Sequence, residues 1–368
     1  MSSDRPVPVR ESLIADFLAR AGLAEAARER LPGDASTRRY ERLRAPDGRS
    51  LMLMDAPPAA ESAPCGADAS AAEREAAGYN ALARLAAGRV DAFAAAAHYL
   101  RARGLSAPEI VALDAPQGLA VVEDLGDGLF ARLIEQGADE RPMYLAAIEA
   151  LARLHEQAPP EVIETGDISW PLLVYDDLAL RTGGALLIEW LPRLHPELIF
   201  DAAARAEWER LWAPIRARAE AGATAFAHRD YHAENLLWMP EREGPARVGM
   251  VDFQDAVRAH PSWDLHSLLQ DARRDVSPEL EQAALDHYFA LRPEIDRDAF
   301  MADYTGLAAL NQARIIGIFA RLIARDGKPR YAAFLPRMWR HLQANLARPG
   351  MEGLRAWFDR HVPAGARA

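Results

Sequence analysis

The sequence predicts an α+β fold in two unequal parts: a small lobe with an antiparallel sheet over about residues 1–122, a connector at 123–127, and a larger, mainly helical lobe over 128–368. Strand-like runs separated by turn residues are concentrated in the first third of the chain. Beyond LGDG (125–128) apolar residues recur at helical spacing instead, as in Leu145, Ile148, Leu151 and Leu154. A short strand-rich insert at 226–254 interrupts that helical texture.

Taken in order, residues 10–30 read as an amphipathic helix, with Leu13, Ile14, Phe17 and Leu18 on one face and Leu23 beyond. LPGDASTRRYERL (31–43) reads as a turn opening into a strand, and RSLMLMDA (49–56) as its partner across the PDG turn at 46–48. A Pro/Ala/Ser-rich loop occupies 57–70. Helices are expected near 71–87 and 90–103, followed by strands at 109–114 and 119–124 about an APQG turn. In the second lobe helices are expected near 196–221, 278–291, 298–325 and 330–347.

Composition narrows the function. Half of the 368 residues are hydrophobic and 26% are charged, which is globular rather than disordered. The net charge of −11 disfavours nucleic-acid and anionic-membrane partners, both of which reward a basic surface. Cys65 is the only cysteine, so neither an intrachain disulfide nor a cysteine-based zinc site can form. MSSDRPVPVRES lacks the apolar core of a secretory signal, and no uninterrupted apolar run reaches membrane-spanning length, so a cytoplasmic protein is expected. Lys328 is the only lysine. Any cation needed near the N-terminus must therefore be arginine.

The chemistry concentrates in AFAHRDYHAENLLWM (225–239) and RVGMVDFQDA (247–256). His228, Asp230, His232, Glu234 and Asn235 lie within eight residues, and Asp252 and Asp255 follow after a hairpin. Oxygen ligands from Asn235 and Asp252, converging across that hairpin, suit Mg²⁺, which takes hard oxygen ligands and leaves positions for water and phosphate. Asp230 is then a separate carboxylate able to orient a hydroxyl. Zinc is set aside, because His228 and His232 need a helix to share a face and the segment does not look helical.

His-x-Asp, four residues, Asn, then a strand ending in Asp-Phe resembles the catalytic segment of protein-kinase-like phosphotransferases. The histidine after the aromatic in HRDYHAEN is similar to the aminoglycoside phosphotransferase and choline kinase branch. With LPGDASTRRY, LMLMDAPP, HYLRARGLSAPEI and VVEDLGD, the chain further resembles the bacterial anomeric kinases of N-acetylmuramate and N-acetylglucosamine over roughly 31–275. That resemblance implies a bilobal protein-kinase-like fold with ATP and Mg²⁺ as cofactors and an amino sugar phosphorylated at C1. It makes Asp230 the base and Asn235 and Asp252 the metal ligands. His228 is expected to brace the loop, and His232 either to brace it or to touch acceptor or phosphate. Asp264, just ahead of an apolar helix, is read as structural, either supporting the loop or capping the helix.

The resemblance also implies a nucleotide site. The backbone of Glu123, Asp124 and Leu125 would meet the adenine edge, and Gly33, Ser36 and Thr37 would cover the phosphates. The second strand has no lysine for the α/β-phosphates, so Arg38 or Arg39 is the expected substitute. Acceptor contacts are expected from Tyr175, Asp176, Asp177, Arg181 and Glu189 in VYDDLALRTGGALLIEWLP (174–192), which mixes aromatic and acidic side chains. Two other readings stay open at this point: an aminoglycoside or choline-type kinase, and a nucleotide-binding regulatory module without catalysis.

Overall fold

A computed structural model describes residues 7–32, 38–57 and 64–367, with the side chains of 7–9 outside the description. Helix α1 (Val7–Arg20) is shorter than the periodicity suggests. Gly22, at φ 71°, ends it in a Schellman turn, with Leu23 N–H on Leu18 O at 2.8 Å and Gly22 N–H on Ala19 O at 3.1 Å. The following Ala-Arg-Glu-Arg becomes strand β1 (Ala27–Arg30), which lies on the sheet edge with every residue exposed. Charged side chains suit an edge strand and hide its alternation from a sequence reading.

Strands β2 (Arg39–Arg44), β3 (Ser50–Asp55), β4 (Ile110–Asp114) and β5 (Leu119–Glu123) complete a five-stranded antiparallel sheet in the order β1-β2-β3-β5-β4. Its two faces part the apolar residues by alternation. Leu43, Leu51, Leu53, Leu119 and Val121 pack with Ile14, Phe17 and Leu18 of α1. Met54, Ala120 and Val122 join the larger core instead. The expected helix near 71–87 is broken at Gly78 into α2 (Ala71–Ala77) and α3 (Tyr79–Leu82), and α4 (Val90–Ala102) lies between sheet and helices.

The second lobe begins with α5 (Phe130–Glu135) and α6 (Glu140–His155), then a hairpin the sequence reading lacks, β6 (Val162–Thr165) with β7 (Ile168–Pro171). Next come α7 (Asp177–Leu194) and α8 (Ala202–Ala221), and then β8 (Ala225–Ala227), β9 (Leu236–Trp238), β10 (Val248–Met250) and β11 (Val257–Ala259). It closes with α9 (Ser262–Leu269), α10 (Pro278–Leu291), α11 (Arg297–Ala324), α12 (Leu335–Leu346) and α13 (Glu352–His361). Among the described residues only α11 is long and apolar enough to cross a bilayer, but here it is a core helix packed on α7, α8, α9 and α12. One core runs from α4 and the sheet into α6, α9 and α10, and a second joins α7, α8, α11, α12 and α13.

Candidate active site

Four short strands hold the site. β8 pairs with β11 and β9 with β10, so residues 228–235 and 251–256 are two loops gripped at both ends by ladders. Val251 N–H donates to Asn235 O at 3.1 Å and ties the loops together. Asn235 Nδ2 donates to the Asp230 carbonyl at 2.9 Å. Because the amide is planar, that bond turns Asn235 Oδ1 the other way, available as a ligand. Asp252 sits in the left-handed region at φ 64° and its side chain is 42% exposed. A non-glycine residue there stores backbone strain, which is a mark of functional loops. Arg229, beside Asp230, is strained likewise at φ 77°.

Apolar contacts fix the loop from below. Phe253 stacks on Phe93 of α4 at 4.6 Å and meets the His228 ring edge-on. The Tyr231 hydroxyl donates to Ala147 O of α6 at 2.9 Å. His228 is the expected brace: Nε2 lies 2.9 Å from Val251 O, and burial depresses its pKa. A neutral His228 donates that bond from Nε2. Asp264 lies inside the first turn of α9 and caps nothing. Its two oxygens accept from His228 N–H at 2.6 Å and Arg229 N–H at 3.0 Å. Burial pushes its carboxyl up to about 7.

His232 braces as well. Its Nε2 accepts from Arg273 Nη1 at 3.2 Å and faces Asn235 Nδ2 at 3.4 Å, and burial together with Arg273 holds the ring neutral. Arg273 also pairs with Glu234 at 2.7 Å. Asp255 accepts from Ala86 N–H at 2.6 Å, and burial raises its pKa. Arg38 reaches across from the sheet lobe and places Nη2 2.8 Å from Asp252 Oδ1, while Arg39 is exposed. Gln254 Nε2 donates to the same Asp252 oxygen at 3.2 Å. Gly33, Ser36 and Thr37 lie outside the described residues.

Glu123 ends β5 and pairs with Arg242 and Arg101, and Asp124 pairs with Arg42 at 2.8 Å and accepts from Ser50 Oγ at 2.6 Å. Leu125 packs over Gly249, where a Cβ would lie 3.2 Å from its Cδ1. The side chains around the first turn of α7 are already committed. Asp176 caps the helix through Ala179 N–H and pairs with Arg74 at 2.6 Å and Arg84 at 3.1 Å. Asp177 pairs with Arg216, and Tyr175 is buried edge-on to Trp263 with Arg229 over its ring. The side chains of all three, expected as acceptor contacts, are engaged by the fold in this structure. Arg181 and Glu189 instead line an outer groove of about 480 Å³ with Tyr79 and Glu209. A second cavity, about 240 Å³, borders Gln254 and is lined by Trp170, Arg84, Arg89 and Asp91.

Two lobes with paired loops at their junction are the arrangement of a phosphoryl-transfer site. The phosphotransferase enzyme family model matches residues 27–304. The chain belongs to this family. It is 60% identical over 358 residues to an N-acetylmuramate/N-acetylglucosamine kinase of Caulobacter vibrioides, covering 97% of this chain and 98% of the relative. A second kinase of that name, from Pseudomonas aeruginosa, is 29% identical over 86% of this chain and 82% of its own length. Among solved structures, a choline/ethanolamine kinase family protein of Mesorhizobium loti superposes with a TM-score of 0.54 at 19% identity, covering 94% of this chain and 98% of its own. The family match spans the segment that contains the 228–235 and 251–256 loops, and the solved structure shares the bilobal α+β fold.

No sequence signal marked Arg273 as a neighbour of these loops, or Arg38 as a partner of Asp252. Arg38 lies more than two hundred residues from Asp252 along the chain, and only the fold brings the two together.

Proposed function

We propose that this phosphotransferase transfers the γ-phosphoryl group of ATP to the C1 hydroxyl of N-acetylmuramate or N-acetylglucosamine, with 1–122 as the nucleotide lobe and 128–368 supplying base and acceptor site. The phosphotransfer reading is supported by the Asp230–Asn235–Val251 bond chain, which ties the loop bearing Asp230 and Asn235 to the loop bearing Asp252, and by the charge of both aspartates acting on His228. The acceptor class is supported by 60% identity along nearly the whole chain. Asp230 accepts a hydrogen bond and then the proton of the attacking hydroxyl. The new O–P bond forms as the bond from Pγ to the β-phosphate oxygen breaks, and ADP leaves. A hemiacetal hydroxyl is more acidic than an ordinary alcohol, so a carboxylate base suffices.

The donor set fits Mg²⁺. Among the described residues no group of three or more His, Cys, Asp or Glu gathers as a closed metal cage. Asn235 Oδ1 and Asp252 supply two hard oxygens, which leaves the rest of an octahedron to phosphate and water. When bound, such an ion neutralises charge developing on the phosphates. The backbone of Glu123–Leu125 supports the adenine, and the cavity beside Gln254, with Trp170 as an aromatic wall, supports the acceptor. Use of ATP places the enzyme in the cytoplasm.

An acceptor panel tests this reading. Phosphorus NMR of the purified chain with ATP and Mg²⁺ should show a sugar 1-phosphate from either amino sugar and no product from choline or an aminoglycoside. Asp230→Asn should lower kcat by about 10²–10⁴-fold with an unchanged melting curve. Phosphate at another carbon, or full activity without Asp230, contradicts the assignment.

A further inference from the structure

The strand that carries a phosphate-binding lysine in kinases, β3, carries none here. The β3 positions that alternate away from α1 carry Met52 and Met54, and α4 packs behind them with Phe93, Ala96, Ala97 and Leu100. A lysine from the strand paired with a glutamate from the helix is therefore absent at either end. The chain's one lysine, Lys328, follows α11 near the C-terminus.

Arg38 stands in the cleft instead. It immediately precedes β2, is only 12% exposed, and alternates in orientation with the exposed Arg39. Its Nη2 lies 2.8 Å from Asp252 Oδ1, the carboxylate assigned to the divalent ion, and that oxygen also accepts from Gln254. The ion pair joins the two lobes across the site. Asp255 adds negative charge nearby, which strengthens the hold on the guanidinium.

We propose that Arg38 is the cation that meets the nucleotide's phosphates, and that in the free chain it takes the divalent ion's place on Asp252. This rests on the kinase reading above. A guanidinium and a divalent cation repel each other at one carboxylate oxygen, so the ion binds poorly while Arg38 remains. A triphosphate offers the guanidinium several anionic oxygens in a geometry its planar fork matches. Arg38 then transfers from carboxylate to phosphate and releases Asp252. Metal and nucleotide thereby favour each other's binding by the same factor, since coupling between two sites is reciprocal.

Mn²⁺ serves as the probe, with the full chain and no acceptor. Electron paramagnetic resonance titration should show weak Mn²⁺ binding to the nucleotide-free wild type. Arg38→Ala should bind Mn²⁺ several-fold more tightly. Calorimetry with a non-hydrolysable ATP analogue in the presence of Mn²⁺ should show the analogue about tenfold weaker or worse in Arg38→Ala, with Arg38→Lys between the two. Arg44→Ala, the same charge change at the other end of β2, should move neither quantity. Arg38→Gln, which keeps much of the volume, repeats the measurement if the alanine chain does not fold. Unchanged or weaker Mn²⁺ binding in the Arg38 variants, or undiminished nucleotide affinity, overturns the proposal. Neither readout needs turnover, so a chain that binds nucleotide but phosphorylates no sugar would refute the proposed function and leave this one standing.

Discussion

The carboxylate of Asp264 satisfies two adjacent backbone donors, His228 N–H and Arg229 N–H, at the start of the 228–235 loop. Both are buried, and Arg229 is held in a strained conformation that only a firm surrounding enforces. Asp264→Ala leaves two buried donors unmet at about 1–3 kcal/mol each, so a destabilisation of roughly 2–5 kcal/mol is expected in urea melts. Asp264→Asn retains one acceptor oxygen and should lose about half as much. Equal losses in both variants would mean that the two bonds do not carry the effect. At this scale the sequence was informative where chemistry is local. That Asp230, Asn235 and Asp252 lie on two adjoining loops was legible because one hairpin joins those loops, and His228 bonds Val251 O across them. Asp264 was read only as structural, with capping and loop support both open. Deciding between them needs the packing of α9 against the loop.

Between elements, the contact of α7 with α11 depends on missing side chains. A Cβ on Gly317 would sit 2.3 Å from Leu186 C and 2.5 Å from Leu187 N, and one on Gly184 would sit 2.8 Å from Leu310 Cδ1. On the same face, Gly183 gives room to the stem of Arg314, whose guanidinium bonds Asn311. Gly317→Ala gains about 1 kcal/mol of helix propensity. It must also push apart two backbones, and overpacking of that kind costs about 3 kcal/mol. A net loss of about 2 kcal/mol is expected by thermal or chemical melting. Gly353→Ala on α13 meets only the tip of Leu211. That variant should stay within about 1 kcal/mol of the parent, and an equal loss would show that the close approach of α7 and α11 is not what sets the cost. Element boundaries followed the same logic. Residues 278–291 were legible in full from periodicity, whereas β1 and the β6–β7 hairpin were missed because charged edge residues and four-residue strands carry little alternation.

Across the whole molecule, burial sets an acid sensitivity that no single motif announces. Six histidines have pKa values lowered by desolvation: His155 and His266 to about 3, His341 to about 4, and His228, His232 and His260 below their usual value. In the unfolded chain each titrates near 6.5, so as pH falls below that value the unfolded state takes up protons that the folded state refuses. Stability is therefore present above the unfolded histidine pKa and is lost as pH drops. Buried carboxyls oppose this: Asp264 at about 7 and Asp271 at about 6 are protonated in the folded state while still charged in the unfolded one. Their stabilising effect grows as pH falls from 7 toward 5, as does that of Asp255, whose pKa is also raised. Each proton of imbalance is worth about 1.4 kcal/mol per pH unit, and the histidines outnumber the opposing carboxyls. Calorimetry should thus show the melting temperature falling between pH 7.5 and pH 5.5, with net proton uptake on unfolding when the enthalpy is compared in buffers of different ionisation heat. A melting temperature that holds steady or rises over that range would mean that the buried histidines accept protons without unfolding, and that the core around α6, α9 and the 228–235 loop is more open to water than its packing indicates.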